Sequence, residues 1–322
     1  MLKTRFTEMF GIKYPIVQGG MQHLGLADFA STVSNAGGMG TLNITCYDSP
    51  EEFKKDVIKM KTLTDKPFIV NISLVPDLTK GEEIRKYIDI CAEQNVAAIE
   101  TAGADPSEFI PQIKEAGIKL IHKTPSAKIA KRMEDKGADV ITIAGYEVAG
   151  HPSTDGIGTF VIANKVASIC SIPVLAAGGV ADGKGLAAAL CLGCEGVVMG
   201  TRFVATKECI ISDNHKQYIL DHTERDTVLI QQSIKNMARV ADNMASRLAA
   251  EMERRGTTLQ ELMTVISGKR GRVAYRTGNV DGGIFAASPA MGLINEILTV
   301  QELMDNMCAD ANSIISGLSK SL

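Results

Sequence analysis

Short apolar runs alternate along this chain with longer amphipathic stretches, which is the pattern of repeated β–α units. The runs are rich in Ile and Val and do not alternate with polar residues, as expected for parallel strands buried on both faces. Strands are predicted at residues 15–18, 39–42, 68–73, 96–101, 118–123, 140–144, 173–177 and 196–199. Helices are predicted between them, among others at residues 51–61, 82–94, 126–136 and 185–192.

These eight consecutive β–α units favour a closed (β/α)8 TIM barrel, an α/β fold, over an open doubly wound sheet. No G-x-G-x-x-G follows the first strand, which argues against a Rossmann domain. After residue 204 the rhythm breaks, and a polar, helical stretch begins. We predict a barrel over residues 1–204 and a small inserted helical subdomain of two or three helices near the barrel mouth over 205–275. A C-terminal segment over 276–322 should return to the barrel with a last helix at residues 299–316.

The bulk composition narrows the class of partner. The 322-residue chain has a net charge of −3 with scattered basic residues, so nothing attracts nucleic acid or an anionic membrane. We expect a small-molecule substrate, with a homodimer left open as the oligomeric state. The N-terminus lacks a signal-peptide pattern, and the seven cysteines are odd in number and spread out, which favours a reducing cytoplasm. Cys191 and Cys194 form a C-x-x-C without a second ligand pair, so core cysteines are favoured over a redox pair and no metal is predicted.

Glycine-containing loops follow strands seven and eight, as A-A-G-G-V-A-D-G and M-G-T-R-F. Loops at these positions of a TIM barrel commonly hold a phosphate, because glycine lets backbone N–H groups approach anionic oxygens. Gly178, Gly179, Gly200 and Thr201 are therefore candidate phosphate-binding residues, although each glycine alone is also compatible with ordinary turn chemistry. After the first strand, the Gly19-Gly20 pair either leaves a flat backbone for a planar ring or forms a simple tight turn.

Two charged or titratable residues stand at strand ends. Lys123 ends the fifth strand, where a cation could stabilise negative charge on a reduced cofactor or be an ordinary surface lysine. Its neighbour His122 should face the helices. His151 follows a glycine beyond the sixth strand, outside any amphipathic pattern, and imidazole can hydrogen-bond or move a proton near neutral pH. The sequence offers no matching pair of nucleophile and base, which argues against a serine or cysteine hydrolase.

Six motifs occur in a characteristic order. They are P-I-V-Q-G-G-M, F-I-V-N-I-S-L-V-P, I-H-K-T-P-S, G-Y-E-V-A-G-H-P, P-V-L-A-A-G-G-V-A-D-G and V-M-G-T-R-F-V-A-T-K-E. Together they resemble the nitronate monooxygenase family of FMN-dependent TIM barrels, once called 2-nitropropane dioxygenases, over nearly the whole chain. The resemblance makes His151 the catalytic residue on the substrate side. It implies that FMN is bound by Gly20, Met21, Ser73, Lys123, Ala149, Gly178, Gly179, Gly200 and Thr201.

Within this family, E-V-A-G-H-P and the Val75-Pro76 pair look most like the NADH:quinone oxidoreductases, and the bacterial flavin enoyl-ACP reductases are also similar. The resemblance therefore implies NADH- or NADPH-dependent reduction of a quinone-like acceptor. Oxidation of alkyl nitronates with O2 and reduction of an enoyl-ACP or enoyl-CoA are the alternatives. Three departures bear on the substrate more than on the cofactor: Ala144 replaces an expected Asp, Ser288 and Met291 replace a pattern with Gly and Gln, and P-S-T-D-G-I-G follows the histidine.

Two other classes of barrel share the glycine-rich phosphate loops. IMP dehydrogenase-like barrels need a nucleophilic cysteine after the sixth strand, and no cysteine lies between Cys91 and Cys170. A non-catalytic sensor of a phosphate-bearing ligand stays an alternative. Turnover with any electron donor would exclude it.

Overall fold

The computed structural model describes residues 2–74 and 81–321 of the chain. Within these residues, eight strands form one parallel sheet: β1 Ile16–Gln18, β2 Gly40–Asn43, β3 Phe68–Leu74, β4 Ala98–Gly103, β5 Lys119–Thr124, β6 Val140–Ala144, β7 Val174–Ala177 and β8 Gly196–Met199. Every predicted strand is present, with bounds that differ by no more than two residues. The Val75-Pro76 pair, on which the subgroup resemblance partly depends, lies outside the described residues.

The sheet closes on itself. Its hydrogen-bonded order is β1-β8-β7-β6-β5-β4-β3-β2, and a parallel bridge between Val17 and Met39 joins the two ends. At this seam the Gln18 amide donates to the Met39 carbonyl at 3.0 Å, and the Met39 amide donates to the Ile16 carbonyl at 3.0 Å. The fold is therefore a TIM barrel, as the repeated β–α units predict.

Helices cover the outside of the barrel. They are α1 Arg5–Phe10, α2 Ala27–Asn35, α3 Pro50–Leu63, α4 Gly81–Glu93, α5 Ile110–Glu115, α6 Ala127–Asp135, α7 Thr159–Ile169, α8 Gly183–Cys191 and α9 Thr201–Val204. Side-chain caps fix several starts: Ser126 accepts a hydrogen bond from the Ile129 amide, and Asp182 accepts one from the Gly185 amide. In the described chain, no helix is both long and apolar enough to cross a membrane.

Alternation along the strands determines which side chains enter the barrel. One buried cluster contains Val17, Ile69, Ile121 and Leu175 from four strands, together with Phe6 from α1. These strand residues point inward at the amino-terminal half of the barrel, and Phe6 closes that end. Because successive strand residues face opposite sides, the residue two positions further along each strand also points inward, nearer the carboxyl-terminal mouth.

Beyond the barrel the chain forms an insert and then returns. The insert contains α10 Asp213–Asp221, β9 Thr227–Ile230, β10 Ala238–Ala241, α11 Met244–Arg254, α12 Leu259–Ile266 and α13 Gly268–Thr277. Strands β9 and β10 pair antiparallel, a hairpin that the sequence analysis missed because it predicted only helices here. The insert has an apolar cluster of its own, and its members include Ile230, Val240, Ala249, Leu262 and Ile266.

The last helix, α14 Val300–Ser321, packs against α8 and α2 on the outside of the barrel. The predicted start at residue 299 is within one residue of the observed start, but the helix continues beyond the predicted end at residue 316 to Ser321. The three-part division of the chain, at residues 204 and 275, stays a prediction.

Candidate active site

The loop after β1 lies against the loop after β8 at the mouth of the barrel. The Gly19 amide donates to the Met199 carbonyl at 2.9 Å, which continues the β1–β8 pairing by one residue. The Met21 sulfur lies 3.9 Å from the position that a Cβ on Gly200 would occupy. Gly19, Met21 and Gly200, predicted from distant parts of the sequence, are thus neighbours.

The same loop also contacts β3. A Cβ on Gly20 would lie 2.5 Å from Cγ of Asn71, so only glycine fits without a shift of that amide. Asn71 in turn accepts a hydrogen bond from the Ser73 hydroxyl at 3.1 Å. The predicted residues Gly20 and Ser73 are therefore linked through Asn71, which the sequence analysis did not single out.

Lys123 occupies the inward face of β5 near the mouth. It lies two residues after Ile121, a member of the interior cluster, and its strand neighbours in register are Ala102 and Thr142. Among the described residues, no carboxylate oxygen lies within 4.0 Å of its amine. The Lys123 amine thus stands at the mouth without an ion-pair partner among the described residues.

His122 lies on the opposite face of β5, in agreement with the prediction that it faces the helices. It is 2% exposed, and its Nδ1 is 2.9 Å from the Thr101 hydroxyl. Burial lowers the pKa of His122 from its ordinary value near 6.5 to about 4, because the charged form would lose its hydration. His122 is a neutral, structural residue at neutral pH.

The loops after β6 and β7 adjoin at two points. The Gly145 amide donates to the Ala177 carbonyl at 3.0 Å. Gly178 has a φ of +102°, and a Cβ there would lie 2.8 Å from the Val148 amide nitrogen, so both its conformation and its close approach require glycine. Because Ala149 follows Val148 directly, the structure brings Ala149 beside the glycine loop that contains Gly178 and Gly179.

A serine from the C-terminal segment connects two of these loops. The Ser288 amide donates to the Thr201 hydroxyl oxygen at 3.0 Å, and the Ser288 hydroxyl donates to the Glu147 carbonyl at 2.6 Å. The Glu147 carboxylate accepts hydrogen bonds from the amide and the hydroxyl of Thr159, at 2.8 Å each, at the start of α7. Ser288, one of the departures from the family pattern, is therefore built into the wall of the site.

His151 is exposed, and the insert holds it in place. Its Nδ1 lies 3.1 Å from the Met237 carbonyl oxygen, and the adjacent Gly150 exchanges two backbone hydrogen bonds with Arg239 of β10, at 3.0 and 2.6 Å. A carbonyl oxygen can only accept, so Nδ1 carries the proton. In the neutral imidazole, Nε2 is then the free acceptor, and in the imidazolium form Nε2 donates a proton.

Arg239 is a further contact between the insert and the β6 loop. Its Nε donates to the Tyr146 carbonyl at 3.2 Å, and its guanidinium lies 4.8 Å from the centre of the Tyr146 ring. The side chain is 8% exposed, so this cation–π contact forms largely out of water. The position of His151 therefore depends on two segments that are about 90 residues apart in sequence.

Three polar residues inside the barrel were also missed. Asn71, Glu100 and Thr142 are nearly inaccessible to solvent and lie on the inward faces of β3, β4 and β6. A signal was available in the sequence: each is a polar residue inside an apolar strand, as in F-I-V-N-I and A-I-E-T. A charged residue such as Glu is almost never fully buried unless it is partnered.

Comparison with known proteins identifies the class. The sequence profile of the nitronate monooxygenase family matches residues 3–310. The chain is 31% identical to the (3aS,4S,5R,7aS)-5-hydroxy-7a-methyl-1-oxo-octahydro-1H-indene-4-carboxyl-CoA dehydrogenase of Rhodococcus jostii (strain RHA1), over 98% of each protein. It is 32% identical to a probable nitronate monooxygenase of Staphylococcus saprophyticus, over 75% of this chain and 79% of that one.

A solved structure has a very similar fold over the whole chain. FabK from Thermotoga maritima has a TM-score of 0.93 and 33% sequence identity, with 100% of both chains covered. The fold and these relatives define a TIM-barrel oxidoreductase. The chain belongs to the nitronate monooxygenase family, as its six ordered motifs predict.

Proposed function

We propose that this oxidoreductase binds FMN across the barrel mouth. The observation that carries the proposal is Lys123, an amine on the inward face at the mouth with no carboxylate within 4.0 Å among the described residues. An amine so placed suits the negative charge that a flavin gains on reduction, near its N1 and O2 atoms. The surface-lysine alternative does not explain an inward-facing position two residues after Ile121.

The phosphate of FMN would lie at the loops after β7 and β8. Gly178 and Gly179 both have positive φ values, +102° and +76°, which directs their peptide groups as few other residues allow. Gly200 and Thr201 begin the chain after β8, beside the Met21 sulfur. Backbone N–H groups at these loops suit an anionic oxygen, and Ser73 and Ala149 complete the proposed set of cofactor contacts.

The chemistry that FMN would supply at this site is hydride transfer, from NADH or NADPH as donor to an electron-poor acceptor. The residue that we propose for the acceptor is His151, whose protonated Nδ1 is fixed by the Met237 carbonyl. In the neutral ring Nε2 can only accept a hydrogen bond; as imidazolium it would donate one to a carbonyl oxygen of the acceptor and supply the proton that accompanies hydride transfer.

As acceptor we propose an α,β-unsaturated thioester, the enoyl-ACP or enoyl-CoA alternative of the sequence analysis. Hydride addition at its β-carbon places charge on the thioester oxygen, which a donor at Nε2 would stabilise, and a proton completes the α-carbon. The Rhodococcus relative, named as a carboxyl-CoA dehydrogenase, supports this class. Ala144, at the end of β6 where an Asp is expected in the quinone reductases, weakens the quinone candidate.

The second candidate is a quinone-like acceptor. The run E-V-A-G-H-P, which looks most like the NADH:quinone oxidoreductases, favours it. Nitronate oxidation with O2 is the third, and it needs no pyridine nucleotide because the nitronate itself reduces the flavin.

Anaerobic stopped-flow mixing separates these candidates. We expect a yellow protein whose flavin absorbance bleaches with NADH or NADPH and returns on addition of crotonyl-CoA. Return only with a quinone such as menadione would favour the second candidate, and bleaching by propionate 3-nitronate alone would favour the third. A colourless protein that takes up no added FMN would overturn the cofactor assignment.

A further inference from the structure

A chain of buried polar groups runs through the interior of the barrel beneath the mouth. Asn71, Glu100 and Thr142 are 3%, 2% and 0% exposed. They lie two residues after Ile69, Ala98 and Val140 of the interior cluster, so they form the next inward-facing level toward the mouth. A carboxylate at this depth is costly unless its oxygens are hydrogen-bonded.

Both oxygens of Glu100 have a partner. The Thr142 hydroxyl donates to Oε1 at 3.2 Å, and the Asn71 amide nitrogen donates to Oε2 at 2.7 Å. In the part of the chain that the structure describes, no Lys, Arg or His nitrogen lies within 4.0 Å of this carboxylate. Glu100 is therefore held by neutral donors alone.

The Glu100 carboxylate fixes the direction of two hydrogen bonds, the one from Asn71 and the one from Ser73 to Asn71. A carboxylate only accepts, so the amide nitrogen of Asn71 must face Glu100, and Oδ1 of Asn71 must face Ser73. Oδ1 can only accept, so the Ser73 hydroxyl uses its single proton on Asn71, at 3.1 Å. Ser73 is then left with lone pairs only, one residue before the end of β3.

We infer that Glu100 is a positioning residue that makes Ser73 an obligate hydrogen-bond acceptor toward FMN. An acceptor at this point selects a donor on the cofactor. The oxidised isoalloxazine has one such group on its ring, N3–H, and the other donors of FMN at neutral pH are the ribityl hydroxyls. This inference rests on the proposed binding of FMN.

Gly20, which is proposed to contact the flavin ring, also restricts the Asn71 amide that orients Ser73. The position of a Cβ on Gly20 lies 2.5 Å from Cγ of Asn71, so the backbone proposed to support the flavin ring also confines the Asn71 amide from above. The amide is thus confined between Gly20 and Glu100, and its two ends cannot exchange without breaking the bond to the carboxylate.

A double-mutant cycle on FMN affinity tests this inference. Removing one such bond costs about 3- to 10-fold in affinity, so Glu100→Gln and Ser73→Ala should each weaken FMN binding by about that factor. Gln has an amide nitrogen that lets Asn71 and Ser73 reverse their polarity. If Glu100 acts through Ser73, the double variant should bind FMN about as tightly as Ser73→Ala alone. Independent, multiplying losses would overturn the inference.

Thr142→Val is the matched control. It removes a hydrogen bond to Glu100 in the same buried network but leaves the amide orientation of Asn71 unchanged. We expect FMN affinity close to that of the wild type. A loss equal to that of Glu100→Gln would show that the network only supports the barrel, and would contradict the polarity argument.

Cofactor analogues identify the donor and cover the case in which Glu100→Gln fails to fold. Against 3-methyl-FMN, which lacks N3–H, the wild type should lose affinity and Ser73→Ala should lose much less. If 2′-deoxy-FMN shows this pattern instead, the donor is a ribityl hydroxyl and the acceptor role of Ser73 still holds. Equal discrimination by the wild type and Ser73→Ala against both analogues would overturn the inference. Failure of the wild type to bind any flavin would instead refute the proposed function.

Discussion

The Ser288 amide donates to the Thr201 hydroxyl oxygen across 87 positions of sequence, and the Ser288 hydroxyl continues to the Glu147 carbonyl. This single residue joins the loop after β8 to the loop after β6. Both loops carry residues proposed to contact FMN. The C-terminal segment therefore helps to set the spacing between the loop proposed to hold the phosphate and the loop proposed to face the substrate.

Ser288→Ala should lower the free energy of unfolding by about 1 kcal/mol, because it leaves the Glu147 carbonyl without its donor. FMN affinity should fall with it, as judged by fluorescence titration. Ser168→Ala is the control, since that hydroxyl donates to the Lys165 carbonyl within α7 on the surface at 2.8 Å. Equal effects of the two substitutions on FMN binding would argue against a role for Ser288 in the site.

His151→Ala should leave FMN bound but slow acceptor turnover by about 10²-fold or more, the usual contribution of a positioned acid or base. The oxidative half-reaction in a stopped-flow spectrophotometer measures this directly. His222→Ala is the matched variant, because His222 belongs to the insert and stacks on Tyr218 with ring centres 3.6 Å apart. Loss of FMN from His151→Ala would mean that the histidine holds the cofactor.

Lys123→Met should slow flavin reduction by NADH or NADPH by about 10²-fold, since a charge-stabilising donor is lost. The flavin midpoint potential should become more negative. Lys119→Met provides a control on the same face of β5 at its other end, where Lys119 pairs with Asp139 at 3.5 Å. An unchanged potential in Lys123→Met would place the amine away from the reduced flavin.

Gly178→Ala should lower the free energy of unfolding by about 1 kcal/mol more than Gly156→Ala does, and it should weaken FMN binding. Both glycines have positive φ values, +102° and +68°, but a Cβ on Gly156 meets no atom within 4 Å. Both substitutions place a side chain at a positive φ, which is further from the left-handed region in Gly178, and only Gly178→Ala also brings a Cβ against Val148. Urea unfolding and FMN titration of both variants give the comparison.

Buried His122 should make the protein less stable in mild acid. Its pKa is about 4 in the folded chain against about 6.5 when unfolded, so the unfolded chain binds the proton first. Stability from this residue is complete above pH 6.5 and is lost as the pH falls toward 4. His122→Asn should flatten this slope in urea unfolding between pH 6.5 and 4.5. An unchanged slope would show that other groups cause the acid sensitivity.

The sequence predicts the barrel well because its signal is local and repeated. Most strands are short runs dominated by apolar residues, and glycines such as Gly137, with a φ of +100°, mark where helices end. The hairpin of β9 and β10 was missed because T-V-L-I and A-R-V-A lie in a polar, helix-rich stretch, outside the repeated β–α pattern that revealed equally short barrel strands. Such short runs carry too little periodicity to separate strand from helix.

The site was predictable only in part, because only some of its residues carry a local signal in the sequence. Loop glycines and strand-end residues such as Lys123 and His151 stand out along the chain. The roles of Asn71, Arg239 and Ser288 depend on partners that lie far away in sequence. Their hydrogen bonds follow from closure of the barrel and docking of the insert, which no local pattern encodes.

The apolar cluster of the insert is separate from the clusters of the barrel. It shares no residue with the clusters of the barrel, so substitutions in one should add to those in the other without strong coupling. Met237 and Arg239 connect the insert to the segment around His151. A substitution in the hairpin can therefore shift the segment around His151 while the glycine loops of the barrel keep their structure.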